Sequence, residues 1–197
     1  VVTIRGYAKV DGGGSVTSEH TVNPVRISRS YEDDPQAPGG RMSSEIAAVY
    51  PGMGIPAAAQ SYGRSTWRRW SDRHFDKGGE LTSSRVYHEI PVTGSGEKGT
   101  NYAETGYGYD DLGRQNQVTS PEGTITRRTF NAPGWLLQVD VGTTAENQKT
   151  VETRAYANTA GLDGMPSEAR RPVDGTSGND RVTTYSYDWR DRLTDTT

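Results

Sequence analysis

The sequence predicts an all-β fold, a long sheet built from repeated antiparallel β-hairpins. Three observations point that way. Thr, Val and aromatic residues dominate the apolar segments, and these side chains suit a pleated surface. The 24 Gly and 10 Pro interrupt the 197 residues too often for long helices. From Ser65 onward, short segments rich in Thr, Val, Tyr and Arg alternate with turn-forming clusters.

Val, Ile, Leu and Phe account for 29 of the 197 residues, below the roughly one-fifth at which disorder competes with folding. The formal net charge is only −3, so self-repulsion does not hold the chain open. With 11 Tyr and 4 Trp adding apolar surface, the expectation is a folded chain with a thin core. There is no cysteine, which excludes disulfides, thiolate chemistry and cysteine metal sites. Stability then rests on sheet pairing. No apolar run is long enough to span a membrane, and the first seven residues show no basic stretch leading into an apolar one. The chain starts on Val1 and stops at Thr197 without a closing element, which suggests a section of a longer polypeptide.

Within residues 1–64, two strand-like runs, 3–10 and 15–22, flank Asp11-Gly12-Gly13-Gly14, whose residues tolerate the positive φ of a tight hairpin. Between Glu32 and Ser65 the breakers Asp33-Asp34-Pro35 and Pro38-Gly39-Gly40 predict mostly loop or an atypical repeat. One short helix is expected there, over residues 43–50.

Residues 65–197 contain a degenerate repeat, an aromatic residue followed by Asp or Asn and then Gly. Its units are Phe75-Asp76 with Gly79, Tyr109-Asp110 with Gly113 and Arg114, Phe130-Asn131 with Gly134, Tyr156 with Gly161, and Tyr187-Asp188 with Arg192 and Leu193. Intervals of 34, 21, 26 and 31 residues separate the aromatic anchors. The shortest fits two strands of about six residues and two turns, one hairpin per unit. The longer intervals carry the loop-like inserts 91–100, 142–150 and 175–179. Tyr109 offers a flat face and a hydroxyl that needs a partner, and Asp110 can accept backbone N–H groups within the turn. Gly113 permits positive φ, and Arg114 can reach across the ribbon to a carboxylate or carbonyl.

Tyr107-Gly108-Tyr109-Asp110-Asp111-Leu112-Gly113-Arg114, followed by a second strand that turns at Gly123, resembles the motif of the YD-repeat or Rhs-repeat family. The last unit, Tyr185-Ser186-Tyr187-Asp188-Trp189-Arg190-Asp191-Arg192-Leu193, is similar to it except that Asp191 stands where Gly is usual. The resemblance covers residues 65–197. It implies a sheet coiled into a large hollow shell, as in Rhs toxins, the C components of insecticidal toxin complexes and teneurins. A secreted or cell-surface location is implied, with a structural role: in the toxins such a shell encloses a C-terminal effector, and in teneurins it supports adhesion. The expected partners are the remainder of the polypeptide or further copies through sheet edges, an encapsulated effector, or, as an alternative adhesive role, a cell-surface glycan or protein. Along 181–187, Arg181, Thr183, Tyr185 and Tyr187 fall on one face and Val182, Thr184 and Ser186 on the other. Neither is wholly apolar, as suits a thin wall.

No enzyme is expected. His20, His74 and His88 are the only histidines, and no His-Glu-x-x-His, Gly-x-Ser-x-Gly or P-loop pattern occurs. His74, near Asp72 and Asp76, and His88, before Glu89, read as ordinary strand or turn residues. The Asp-Pro-x-Gly motif at which Rhs toxins cut themselves is absent, since Asp34-Pro35 is followed by Gln36 and Ala37. Oxygen ligands concentrate at residues 174–180 and at Glu32-Asp33-Asp34, but not with EF-hand spacing. No metal or cofactor is expected. Trp67-Arg68-Arg69-Trp70 mixes aromatic and basic residues, yet the sequence pI of about 5.7 argues against nucleic acid. The Trp side chains are expected in the sheet and the Arg side chains outward.

Overall fold

The computed structural model describes residues 2–3, 6–10, 16–21, 25–32, 40–49, 62–157, 164–174 and 176–197. It divides into two compact units, Val1–Thr105 and Gly106–Thr197. Both are all-β, and every strand pairing within them is antiparallel.

In the first unit β1 (Val2–Thr3) is an edge, and β2 (Gly6–Val10) pairs with β3 (Val16–Thr21) as a separate ribbon. That ribbon stands where the sequence predicts a hairpin; its connection, residues 11–15, lies outside the described residues. The main sheet continues from β1 through β4 (Val25–Glu32), β5 (Arg41–Val49), β6 (Trp67–Phe75) and β7 (Leu81–Tyr87) to the start of β8 (Tyr102–Tyr109).

The helix expected over residues 43–50 is instead strand β5 through Val49, while residues 33–39 and 50–61 of the stretch expected to be mostly loop lie outside the described residues. Glu45, Ala47 and Ala48 are individually indifferent or favourable to helix, but the segment alternates with period two. Ile46 faces Trp70 across the β5–β6 ladder and Ala48, 2% exposed, faces Trp67, while Glu45 turns the other way to meet Arg29 and Arg69. Pairing on both edges of β5 outweighs a local preference worth about 0.5 kcal/mol per residue.

The core of this unit is aromatic. Trp70, Tyr87 and Tyr102 are buried, with Ile46, Trp67 and Ile90 packed against them. Trp70 and Tyr87 stack with centroids 3.8 Å apart and planes at 4°, and Trp67 meets Trp70 edge-on at 5.3 Å. Trp67 and Trp70 are three residues apart, a spacing that puts two strand residues on opposite faces. The register slips between Ala47 and Ala48, which pair with Arg69 and Trp67, so Arg68 is looped out and both indoles reach the core. Arg68 and Arg69 are exposed, in keeping with the expected outward direction. Loop 91–100 stays largely exposed, but its backbone covers the cluster: Arg64 Nη1 donates to Pro91 O (3.3 Å) and to Gly94 O, and Tyr87 Oη donates to Ser95 O (3.0 Å).

The second unit is a meander. The end of β8, β9 (Gln115–Thr119), β10 (Ile125–Phe130), β11 (Leu136–Gly142), β12 (Lys149–Tyr156), β13 (Pro166–Arg171), β14 (Arg181–Tyr187) and β15 (Leu193–Thr196) pair each with the next. Along β14 the expected alternation holds until the register shift at Ser186/Tyr187. No described residue of this unit is fully buried. Its stability must come from something other than a packed interior.

Candidate functional site

The repeat anchors occupy one structural position. Phe75, Tyr109, Phe130, Tyr156 and Tyr187 are the last residues of β6, β8, β10, β12 and β14, and at each the register shifts. Four of these strands then enter the same turn. The N–H of Asp76, Asp110, Asn131 and Asp188 donates to the carbonyl four residues on, at 2.9 to 3.0 Å. The N–H three residues on, at Gly79, Gly113, Gly134 and Asp191, donates back at 2.9 to 3.1 Å. That third residue carries φ of 88°, 73°, 98° and 59° respectively, the left-handed region where a Cβ is unfavourable. This is why Gly recurs there, and Asp191 is the described exception.

The Asp or Asn side chain completes the loop. Oδ1 of Asp76, Asp110, Asn131 and Asp188 accepts the N–H of Glu80, Arg114, Trp135 and Arg192 at 2.8 to 3.0 Å. In two units Oδ1 also takes the N–H two residues on, from Leu112 and Arg190. Desolvation alone would raise Asp110, but the backbone and guanidinium of Arg114, with the N–H of Leu112, outweigh it and hold the carboxyl below its ordinary range. Asp188 is lowered first by the Arg192 guanidinium and then by the N–H groups of Arg192 and Arg190.

A fifth copy escaped sequence reasoning. Ser120 plays the part of Asp between β9 and β10: its N–H donates to Thr124 O, the Gly123 N–H returns to Ser120 O, and Ser120 Oγ accepts the Thr124 N–H at 3.1 Å. The offset from Ser120 to Gly123 matches that from Asp110 to Gly113, the signal that could have found it. The Tyr156 unit is longer. Tyr156 pairs with Pro166 and the Ala157 N–H donates to Met165 O, while Gly161 lies outside the described residues.

The turns are also tied to one another. Arg114 holds its own Asp110 through Nε (2.7 Å), donates through Nη1 to Asn131 O of the following turn (2.7 Å), and lies 5.1 Å over the Phe130 ring. The anchor hydroxyls reach back one unit: Tyr156 Oη donates to Leu136 O, 20 residues earlier, and Tyr187 Oη to Pro166 O, 21 residues earlier. Leu136 and Pro166 are the residues paired with the preceding anchors, Phe130 and Tyr156. Tyr107 and Tyr185 lie on β8 and β14 two residues before their anchors, and Leu193 opens β15 opposite Tyr187.

The other candidate residues do not converge. His74 sits on β6 with Nε2 buried and unpartnered, His88 Nε2 lies 3.1 Å from Thr100 O, and the side chain of His20 is outside the described residues. Among the described residues no three His, Asp or Glu side chains are grouped to hold a metal. Asp174 is engaged by the Thr176 N–H and Asn179 Nδ2, and Asp180 by Arg170. Tyr87, beside Asp72, is pushed up to about 12 by burial and then by that carboxylate. Among the described residues no helix is long and apolar enough to cross a membrane.

No protein-family model matches the chain, and no curated protein matches it. Solved structures do. A crystal structure of TcdB2-TccC3-Cdc42 matches with a TM-score of 0.50 and 17% identity, over 97% of this chain and 10% of that one. A crystal structure of TcdB2-TccC3 without its hypervariable C-terminal region matches at 0.49 and 18%, over 95% and 10%. The Photorhabdus luminescens Tc holotoxin pore matches at 0.40 and 12%, over 95% and 12%. The chain therefore spans about a tenth of the structures it matches. The first of these likenesses makes this chain an all-β structure of sequential antiparallel hairpins with the fold of a stretch of that much longer protein.

Proposed function

We propose that this chain is a section of the wall of a YD-repeat shell, a structural element of a secreted protein rather than an enzyme, and that in its parent polypeptide the wall encloses a C-terminal effector. The observation that carries this reading is the recurrence of one turn, at Asp76, Asp110, Ser120, Asn131 and Asp188, with anchor hydroxyls tied back to the preceding unit. Such a device extends a sheet by repetition and leaves its stability a sum of unit and interface terms. The functional side chains of the repeat are spent on the turn itself, which leaves them no substrate to act on. The fold likeness to a stretch of TcdB2-TccC3-Cdc42 supports the reading, as does the sequence resemblance to the YD-repeat family.

Electron cryomicroscopy of the parent polypeptide tests it. A hollow particle with residues 62–197 in its wall is the expected result. A filled globule, or a sheet with solvent on both faces, overturns it.

A further inference from the structure

The strand register sorts the charges of the second unit onto two unlike faces. Arg128 pairs with Val139, and Val139 with Glu152. Arg154, two residues beyond Glu152, pairs with Ala169; two residues further along β13, Arg171 pairs with Arg181. Lys149 pairs with Val141, which shares the face of Val139. Directly paired residues of an antiparallel ladder point the same way, so five cations share this face. Among the described strand residues Glu152 is its only carboxylate, divided between Arg154 (2.6 Å) and Arg171 (3.4 Å). The opposite face holds Arg127 and Arg170 against Asp140, Glu168 and Asp195, and its cations are engaged, Arg127 by Gln117 and Arg170 by Glu168 and Asp180.

We infer that the face bearing Arg128, Lys149, Arg154, Arg171 and Arg181 is a docking surface for an acidic polypeptide segment. Charge complementarity identifies the occupant. The whole chain is net acidic, at −3, so this concentration of positive charge runs against its average. It is also costly to the isolated sheet, because Arg171 and Arg181 are directly opposed like charges. The side chains of Arg128, Lys149 and Arg181 make no hydrogen bond or ion pair among the described residues. Four of the five are guanidinium groups, whose fork takes a carboxylate through two parallel N–H bonds. They rise from β10, β12, β13 and β14, with Val139 and Val141 of β11 between the first two, on strands at the roughly 4.8 Å spacing of a sheet. An extended acidic segment laid across it meets successive cations. Nucleic acid suits the surface less, since single strands are held by cations interleaved with aromatic rings on which bases stack, and the residues paired with Arg128, Lys149 and Arg154 are Val139, Val141 and Ala169. The inference does not depend on the shell reading, because an isolated sheet of this charge would bind the same segment.

Fluorescence anisotropy of a labelled oligo-glutamate peptide, titrated with the 1–197 chain at low salt, tests the inference. Binding is expected, weakening as the Debye length shortens to about 8 Å at physiological salt. The exposed double variant Lys149→Glu, Arg181→Glu should lose about tenfold or more in affinity, and Arg68→Gln in the first unit should change it by less than about twofold. If circular dichroism shows that the double variant has lost its β-structure, Arg128→Gln read alone must still weaken binding. No binding of oligo-glutamate by the folded chain overturns the inference, as does binding indifferent to these variants. Displacement of the peptide by single-stranded DNA at lower concentration overturns it in favour of a nucleic-acid surface.

Discussion

In the first unit Ala48, Trp70, Tyr87 and Tyr102 are buried and the two central rings stack at 3.8 Å, whereas no described residue of the second unit is buried to that degree. The second unit instead closes its hairpins with the repeated turns at Asp110, Ser120, Asn131 and Asp188, and ties them together through Arg114, Tyr156 and Tyr187. The two regions thus place their stability at different levels. An aromatic cluster draws on apolar area from several strands at once, so one truncation is felt throughout it. A chain of tied turns draws on many bonds, each worth about 1 kcal/mol, so a single loss stays local. A repeat can be lengthened by the second method without redesigning an interior.

The largest effect should therefore come from the first unit. Trp70→Ala removes the ring that touches Trp67 and Tyr87 and takes the Nε1–H donor away from Ser44 Oγ and Asp72 Oδ1. A loss of about 3–5 kcal/mol is expected in urea unfolding followed by circular dichroism. A cost near that of a single turn bond would mean the cluster is not the core, and the contrast between the units would fail.

The same cluster should give the first unit an alkaline limit. Tyr87 is raised from 10.0 to about 12, so the fold favours the neutral phenol. Its contribution is complete below pH 10.0 and lost as pH climbs toward about 12. The unfolding midpoint should fall across that window, and Tyr87→Phe should flatten the fall. An unchanged slope in the variant would assign the effect to other groups.

Gly134→Val asks whether the turns matter individually. Its φ of 98° suits no β-branched residue, while the nearest atom to an added Cβ, Arg114 Nη1, is 3.8 Å away, so the cost is one of backbone and not of space. About 2 kcal/mol is expected. Tyr187→Phe tests the tie between units: it deletes only the hydroxyl that donates to Pro166 O, and about 1 kcal/mol should be lost. If Tyr187→Phe costs more than Gly134→Val, the ties and not the turns hold the second unit.

These residues also show what a sequence reveals. The turn at Asp110 was legible because positive φ and an acceptor at the first position are local demands met by Gly113 and Asp110 themselves. Ser120 does the same work with a shorter side chain, but Thr119 and not an aromatic residue precedes it, so the aromatic-Asp-Gly pattern does not extend to it. Strand β5 was misread since Glu45, Ala47 and Ala48 carry a local preference that only pairing on both edges overrides. That both Trp67 and Trp70 reach the core depends on the looped-out Arg68, which no periodicity of two anticipates. The tie from Tyr187 to Pro166 spans 21 residues, a distance fixed by stacking and not by neighbours in the chain.

The smallest expected effect bears on the one turn that departs from the pattern. Asp191 occupies the third position with φ of 59°, where its counterparts Gly79, Gly113 and Gly134 carry no Cβ. An Asp tolerates this region better than most residues, and replacing it with Gly also frees the unfolded chain, so the two effects partly cancel. Asp191→Gly should stabilise the second unit by about 0.5 kcal/mol in urea unfolding. The bonds of the turn leave Asp191 only a backbone part, its N–H donating to Asp188 O at 3.0 Å, while Asp188 and Arg192 hold each other. A loss of stability beyond the roughly 1 kcal/mol that the added freedom of a Gly can cost would therefore show that the Asp191 carboxylate has a task of its own in this turn, and that the departure from Gly is a substitution of function and not of tolerance.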